Sequence, residues 1–312
     1  MGSKPVGRQR RLAGITAGVL ILLAANAAAS GIYQWRDASG KLHFGDKPPE
    51  QAATENLSDR YSEVLPFEIV IAGVNYQVPV PLRDRLSVAA KKIFAIYRQA
   101  LSIDYPDGRE FRITIYGTER EFRAYQQKVA PVLENAAGFY STSSNQITTW
   151  AIPDERALIR LIIHECSHAI SAGNSHYIPT WLNEGLAEYF EQVQIHGLSA
   201  DIPLNNHWLD TLRRHRFPGQ PGRLARVISV PHQQWYAANG PDNLSYAASW
   251  SLVWYLMDSA EGRKLINRLL TTEHPHEGTS RKLIERHWQG GYTALESGWQ
   301  RWLRDATGKH RY

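Results

Sequence analysis

One stretch constrains this chain more than any other. LIRLIIHECSHAI, residues 158–170, is an apolar helical run that nonetheless carries His164, Glu165 and His168. Two histidines four residues apart share one helical face and can reach one metal ion. Neutral imidazole suits zinc at roughly 2.0–2.1 Å. Glu165 is then set beside a metal-bound water. Zinc lowers the pKa of that water, and the carboxylate takes its proton during attack on a carbonyl. The bland alternative is a buried helix with satisfied histidines. It leaves Glu165 without a partner in an apolar setting, which is costly.

A third ligand is supplied downstream by WLNEGLAEYFE, residues 181–191. The intervening segment contains Gly173, Asn174 and Pro179, a loop able to return a second helix across the first. Glu184 and Glu188 are four apart on one face. Glu184 can ligate the metal while Glu188 orients a ligating histidine through its other ring nitrogen. Glu191 is read as off that face and solvated.

His164-Glu165-x-x-His168 followed by Trp181-Leu182-Asn183-Glu184-Gly185-Leu186-Ala187 resembles the gluzincin zinc metallopeptidases, the group holding thermolysin and aminopeptidase N. NEGLAEYF is similar to secreted bacterial members. The resemblance is specific over 155–191 and looser over 80–310. It implies His164, His168 and Glu184 as zinc ligands, Glu165 as general base and Glu188 behind the ligands. It further implies an oxyanion-stabilising tyrosine on a later helix. Tyr246 has the similar placement, and Tyr255 is the rival. The exopeptidase sequence Gly-Ala-Met-Glu-Asn, found before the histidines in aminopeptidases, is absent. NQITTWA (145–151) is expected as an edge strand offering its backbone to an extended peptide.

The N-terminus reads as an export signal. Residues 1–11 are basic, 12–25 are apolar or small, and Ala27, Ala28 and Ala29 precede Ser30. The apolar run is shorter than the roughly 20 residues an ordinary spanning helix needs. Cleavage is expected after Ala29, with Ala27 as the alternative site. No cysteine follows the run, so a lipid anchor on cysteine is excluded. The single cysteine, Cys166, excludes an intramolecular disulfide and a cysteine-rich zinc site. Four basic residues in the signal account for most of the net charge of +5; the remaining 31 Lys+Arg against 30 Asp+Glu leave no basic excess for nucleic acid.

After the signal, Tyr33, Trp35, Asp37, Gly40, Phe44, Asp46 and Pro48 resemble a short module of unknown function found in many secreted proteins of Gram-negative bacteria. Strand-like pieces at Tyr33–Trp35 and Lys41–Phe44 flank a turn, which predicts a hairpin.

The organisation expected is a signal peptide over 1–29, the hairpin module over 30–50, a linker over 51–65 and the metallopeptidase-like region over 66–312. Strands are expected within 66–80, 111–117 and the 138–151 hairpin. Helices are expected over 82–101, 118–129, from Asp154 to about 172, and over 180–193. Beyond 205 the pattern is helical, with Thr293–Glu296 read as a capping box opening the last helix. This is an α+β class: a small N-terminal mixed sheet, the His-Glu-x-x-His helix and a helical remainder.

The expected function is a monomeric, exported zinc peptidase, periplasmic or secreted, acting on a peptide or protein without nucleic acid. The mature chain is expected to lack a membrane span. Two alternatives stand beside this: a non-catalytic, zinc-stabilised binding module of the cell envelope, and an inner-membrane anchor through residues 12–25.

Overall fold

The computed structural model describes residues 33–36, 42–45, 54–56, 68–105, 110–133, 136–174, 178–231, 234–235, 242–273 and 278–312. The expected signal segment and the turn of the N-terminal hairpin lie outside the described residues. Two compact units divide the chain at Ser62 and Glu63.

In the first unit, β1 (Tyr33–Arg36) pairs antiparallel with β2 (Leu42–Gly45), Tyr33 opposite Gly45. This is the expected hairpin. A third strand, β3 (Thr54–Asn56), pairs with the other edge of β1. It falls where the sequence was read as linker, and a three-residue strand is too short to leave a period-2 signal.

The second unit opens with β4 (Ile69–Val74), the long helix α1 (Val80–Leu101), β5 (Phe111–Tyr116) and α2 (Glu119–Val129). The expected strand pattern over 66–80 shrinks to β4. Asn75 turns with φ 52°, and Pro79 and Pro81, which lack N–H donors, suit a helix start. Leu82, Leu86, Ala89, Ile93, Ile96 and Leu101 give α1 its buried stripe. Thr118 and Glu121 form a capping box on α2. The hairpin β6 (Gly138–Ser141) and β7 (Gln146–Trp150) completes a sheet of order β4-β5-β7-β6. β4, β5 and β7 run parallel, and β6 is antiparallel at the edge. The strand NQITTWA is therefore internal. The edges among the described residues belong to β4 and β6, because β7 is paired on both sides, with β5 and with β6.

Next comes α3 (Glu155–Asn174), whose first turn is capped by Asp154 accepting from the Arg156 N–H at 2.9 Å. Leu158, Ile162, Cys166, Ala169 and Ile170 are buried, and Tyr97 of α1 shares a 2.6 Å hydrogen bond with Ser167. α4 (Thr180–Phe190) is buried at every position but Asn183. It ends three residues earlier than expected, and the chain continues into β8 (Gln194–His196) and β9 (Ser199–Pro203).

The remainder is largely helical: α5 (Asn206–Arg214), α6 (Arg223–Ile228), α7 (Leu244–Met257), α8 (Ala260–Thr271), α9 (Thr279–His287) and α10 (Gly291–Asp305). A last strand, β10 (Lys309–Arg311), returns to pair with β9, giving a second small sheet of order β10-β9-β8. The expected capping box at Thr293–Glu296 does not form. Gly290 and Gly291, at φ 79° and 69°, let the chain enter the helix earlier, and Glu285 accepts from the Tyr292 N–H. Glu296 instead accepts from the Leu224 N–H at 3.1 Å. The class is α+β. Among the described residues, no helix is long and apolar enough to cross a membrane.

Gly185 marks the closest approach of α4 and α7. A Cβ there would lie 2.7 Å from the Ser249 carbonyl oxygen and 2.8 Å from Val253. The contact brings a helix rich in glutamate against the helix that carries Tyr246.

Candidate metal centre and cleft

His164, Glu165 and His168 enter the site from α3, Glu184 and Glu188 from α4, and Glu191 from the residue that caps α4. The two helices pack against each other, and their polar residues meet. The Nε2 atoms of His164 and His168 lie 3.7 Å and 3.8 Å from the same Glu184 oxygen. These separations are too long for hydrogen bonds. They approach the spacing of about 3.3 Å between two ligands held tetrahedrally at roughly 2.0–2.1 Å from one ion. One donor atom from each of these three residues falls within a mutual 4.8 Å. The Glu184 side chain is only 5% exposed. Its buried charge faces two imidazole nitrogens without a direct hydrogen bond to either, and a divalent cation fits that donor set.

The support around these three side chains differs from expectation. The carboxylate on His164 Nδ1 is Glu191, at 3.3 Å, not Glu188. Glu191 is not solvated; its side chain is 20% exposed. At about 100° per residue, seven residues return to within roughly 20° of the starting direction, so Glu191 shares the face of Glu184. Glu188 is turned instead to Trp208 of α5, whose indole N–H donates to it at 2.7 Å. That indole, twenty positions downstream, has no sequence signal tying it to the site. The buried Nδ1 of His168 has no hydrogen-bond partner among the described residues.

Electrostatics follow from this crowding. Burial pushes the His164 imidazole down, but Glu184 and Glu191, reinforced by Glu165 and Glu188, outweigh it and raise its pKa well above the ordinary value. Burial raises the Glu188 carboxyl, and the neighbouring Glu191 and Glu184 raise it further against the pull of His164 and Trp208. So many carboxylates around one buried point amount to a site of excess negative charge.

Tyr246 lines the same cleft, its ring edge against Trp235 at 5.9 Å between centroids. Burial raises its pKa, and Glu184 and Glu188 raise it further, so the phenol keeps its proton. The rival, Tyr255, packs between Trp288 and Trp302 and does not line the cleft.

The cleft holds about 1240 Å³, and residues of α3, α4 and β6 line it. Gly138 opens β6 toward α3: a Cβ there would touch Leu161 at 3.0 Å, one turn before His164. A strand edge unpaired among the described residues therefore lines the cleft that holds this cluster.

Two family matches fall on the chain. Residues 19–66 match a family described as a domain of unknown function, DUF4124. Residues 159–275 match one described as a protein of unknown function, DUF1570. No curated protein matches it. The first match covers the N-terminal module recognised by its aromatic and aspartate pattern. The second begins just before His164 and includes Glu184, Glu188, Glu191 and Tyr246.

Proposed function

We propose that this chain is an exported zinc-dependent peptidase of the gluzincin type. The observation that carries the reading is the convergence of His164, His168 and Glu184 on one point, with Glu165 and the protonated Tyr246 lining the same cleft. A zinc ion held by those three side chains would supply Lewis acidity to a peptide carbonyl and to a water molecule. Glu165, 7% exposed and next to a ligand on α3, takes the proton of the attacking water. It then returns that proton to the departing amine. Tyr246 donates a hydrogen bond to the oxygen that gains charge. The edge of β6 offers N–H and C=O groups to an extended peptide, which holds the scissile bond along α3. Export rests on the three-part N-terminal segment. Recovery of the protein from cells with Ser30 first supports it, and recovery with Met1 supports the anchor.

The deciding experiment compares variants in zinc content and cleavage of a peptide library. Glu165→Gln keeps zinc and loses activity by about 100-fold or more, because the amide cannot accept a proton. His164→Ala and Glu184→Ala lose zinc and activity together. Tyr246→Phe keeps zinc and loses rate chiefly in kcat. Equal cleavage by wild type and Glu165→Gln rejects the mechanism. Zinc binding without any cleavage favours the binding-module alternative.

A further inference from the structure

The charges in the cleft are unevenly placed. Glu165, Glu184, Glu188 and Glu191 line it at or beside His164 and His168, whereas Leu161 and Ala157, one and two turns earlier on α3, are uncharged. On this uncharged side the cleft lining contains Arg160, the one Lys or Arg among its described residues. Arg85, by contrast, pairs with Glu155 in the first turn of α3 at 2.7 Å. Arg160 is exposed and pairs with no carboxylate among the described residues, although four carboxylates share its cleft.

Position then defines what this guanidinium can reach. Arg160 precedes His164 by one helical turn on the same face, about 6 Å along the axis. An extended peptide advances roughly 3.3 Å per residue. Arg160 therefore lies within about two residues of a bond held at His164, His168 and Glu184. A guanidinium presents a planar fork that matches a carboxylate through two parallel hydrogen bonds. The four glutamates oppose an anionic substrate group, so such a group is accommodated only toward the Arg160 side.

We infer that Arg160 selects substrates bearing a carboxylate within about two residues of the cleaved bond, from an acidic side chain or from a chain terminus. This rests on the peptidase reading above. It names that enzyme's substrate class, acidic or C-terminal peptide segments, and Arg160 as the residue that sets it.

The test uses the full zinc-loaded chain and one peptide sequence that it cleaves, made in four versions. Glutamate or glutamine stands beside the scissile bond, and the C-terminus is free or amidated. Wild type prefers a carboxylate version by about 5-fold in kcat/KM, mostly through KM, the upper range of an exposed charge pair. The arm that shows the preference, side chain or terminus, identifies the source of the carboxylate. Arg160→Met brings the ratio to about one, and Arg160→Lys restores part of it. Binding of the same peptides to Glu165→Gln, read by fluorescence anisotropy, shows the same ratio without turnover. Equal cleavage of all four peptides, or a preference that survives in Arg160→Met, overturns this inference and leaves the peptidase reading intact. A chain that cleaves no peptide removes both.

Discussion

Glu191 shows how a single side chain would tune the proposed zinc site. Its carboxylate, 3.3 Å from His164 Nδ1, favours a proton on that nitrogen, which would leave Nε2 to ligate when zinc displaces its proton. Glu188, bound to the Trp208 indole, cannot do so in the same geometry. Glu191→Ala should therefore weaken zinc binding by about 10- to 100-fold, measured by competition with a chromophoric chelator. Trp208→Phe frees Glu188 without touching a ligating histidine and should change zinc affinity less. The reverse order of effects would return the orienting role to Glu188. At this scale His164, Glu165, His168 and Glu184 were legible in the sequence, since an i,i+4 repeat on a helix places side chains without knowledge of the fold. Glu191 lies beyond the i,i+4 pair, and its place on the same face follows from a spacing of seven, which also closes on a helix. Trp208 and Arg160 were not legible. Their roles depend on which surfaces share a cleft, and no local spacing encodes that.

Among the elements, the long helices followed their apolar periodicity, and the short strands did not. β3, β8 and β10 have three residues each, below the length at which alternation means anything. The contact of α4 with α7 offers a test whose sign is informative. In an open helix interior, alanine is favoured over glycine by about 1 kcal/mol. At Gly185 an added methyl meets a backbone carbonyl at 2.7 Å, which cannot swing aside like a flexible side chain. Overpacking of this kind costs about 1–3 kcal/mol, so Gly185→Ala should lower the denaturation midpoint. A more stable variant would contradict the close approach. The second small sheet has its own pH dependence. Asp201 on β9 pairs with Lys309 and Arg311 of β10, and these cations hold its carboxyl down at about 2 from the ordinary 3.8. A depressed carboxylate stabilises the pairing fully above its unfolded value and stops doing so as pH falls through about 2. Hydrogen exchange at the Tyr312 amide, which donates to Ala200 at 2.8 Å, should quicken across that window. Asp201→Asn should exchange faster already at neutral pH and lose the acid dependence.

For the molecule as a whole, the division at Ser62 and Glu63 separates two kinds of information. The family match over 19–66 falls almost entirely on the first unit, and the match over 159–275 lies wholly in the second. Every residue assigned to the cleft, from Leu133 to Tyr246, belongs to the second unit. So does the core seen among the described residues, to which α1, α3, α4 and α7 contribute side chains such as Tyr97, Ile170, Leu186 and Trp250. A region of this size can bury enough apolar surface to stand without covalent links, whereas three strands of three or four residues cannot. A chain beginning at Glu63 should therefore fold cooperatively and bind one zinc. It should also cleave the peptides that the full chain cleaves, at a comparable kcat/KM. Circular dichroism melts, metal analysis and single-peptide kinetics on the two chains provide the comparison. Loss of zinc with the helical signal intact would mean that the first unit completes the site. Loss of the helical signal would mean that the second unit's core is not self-sufficient. Equal zinc and equal kinetics would assign the metal chemistry to the second unit alone and leave the N-terminal module a role other than catalysis.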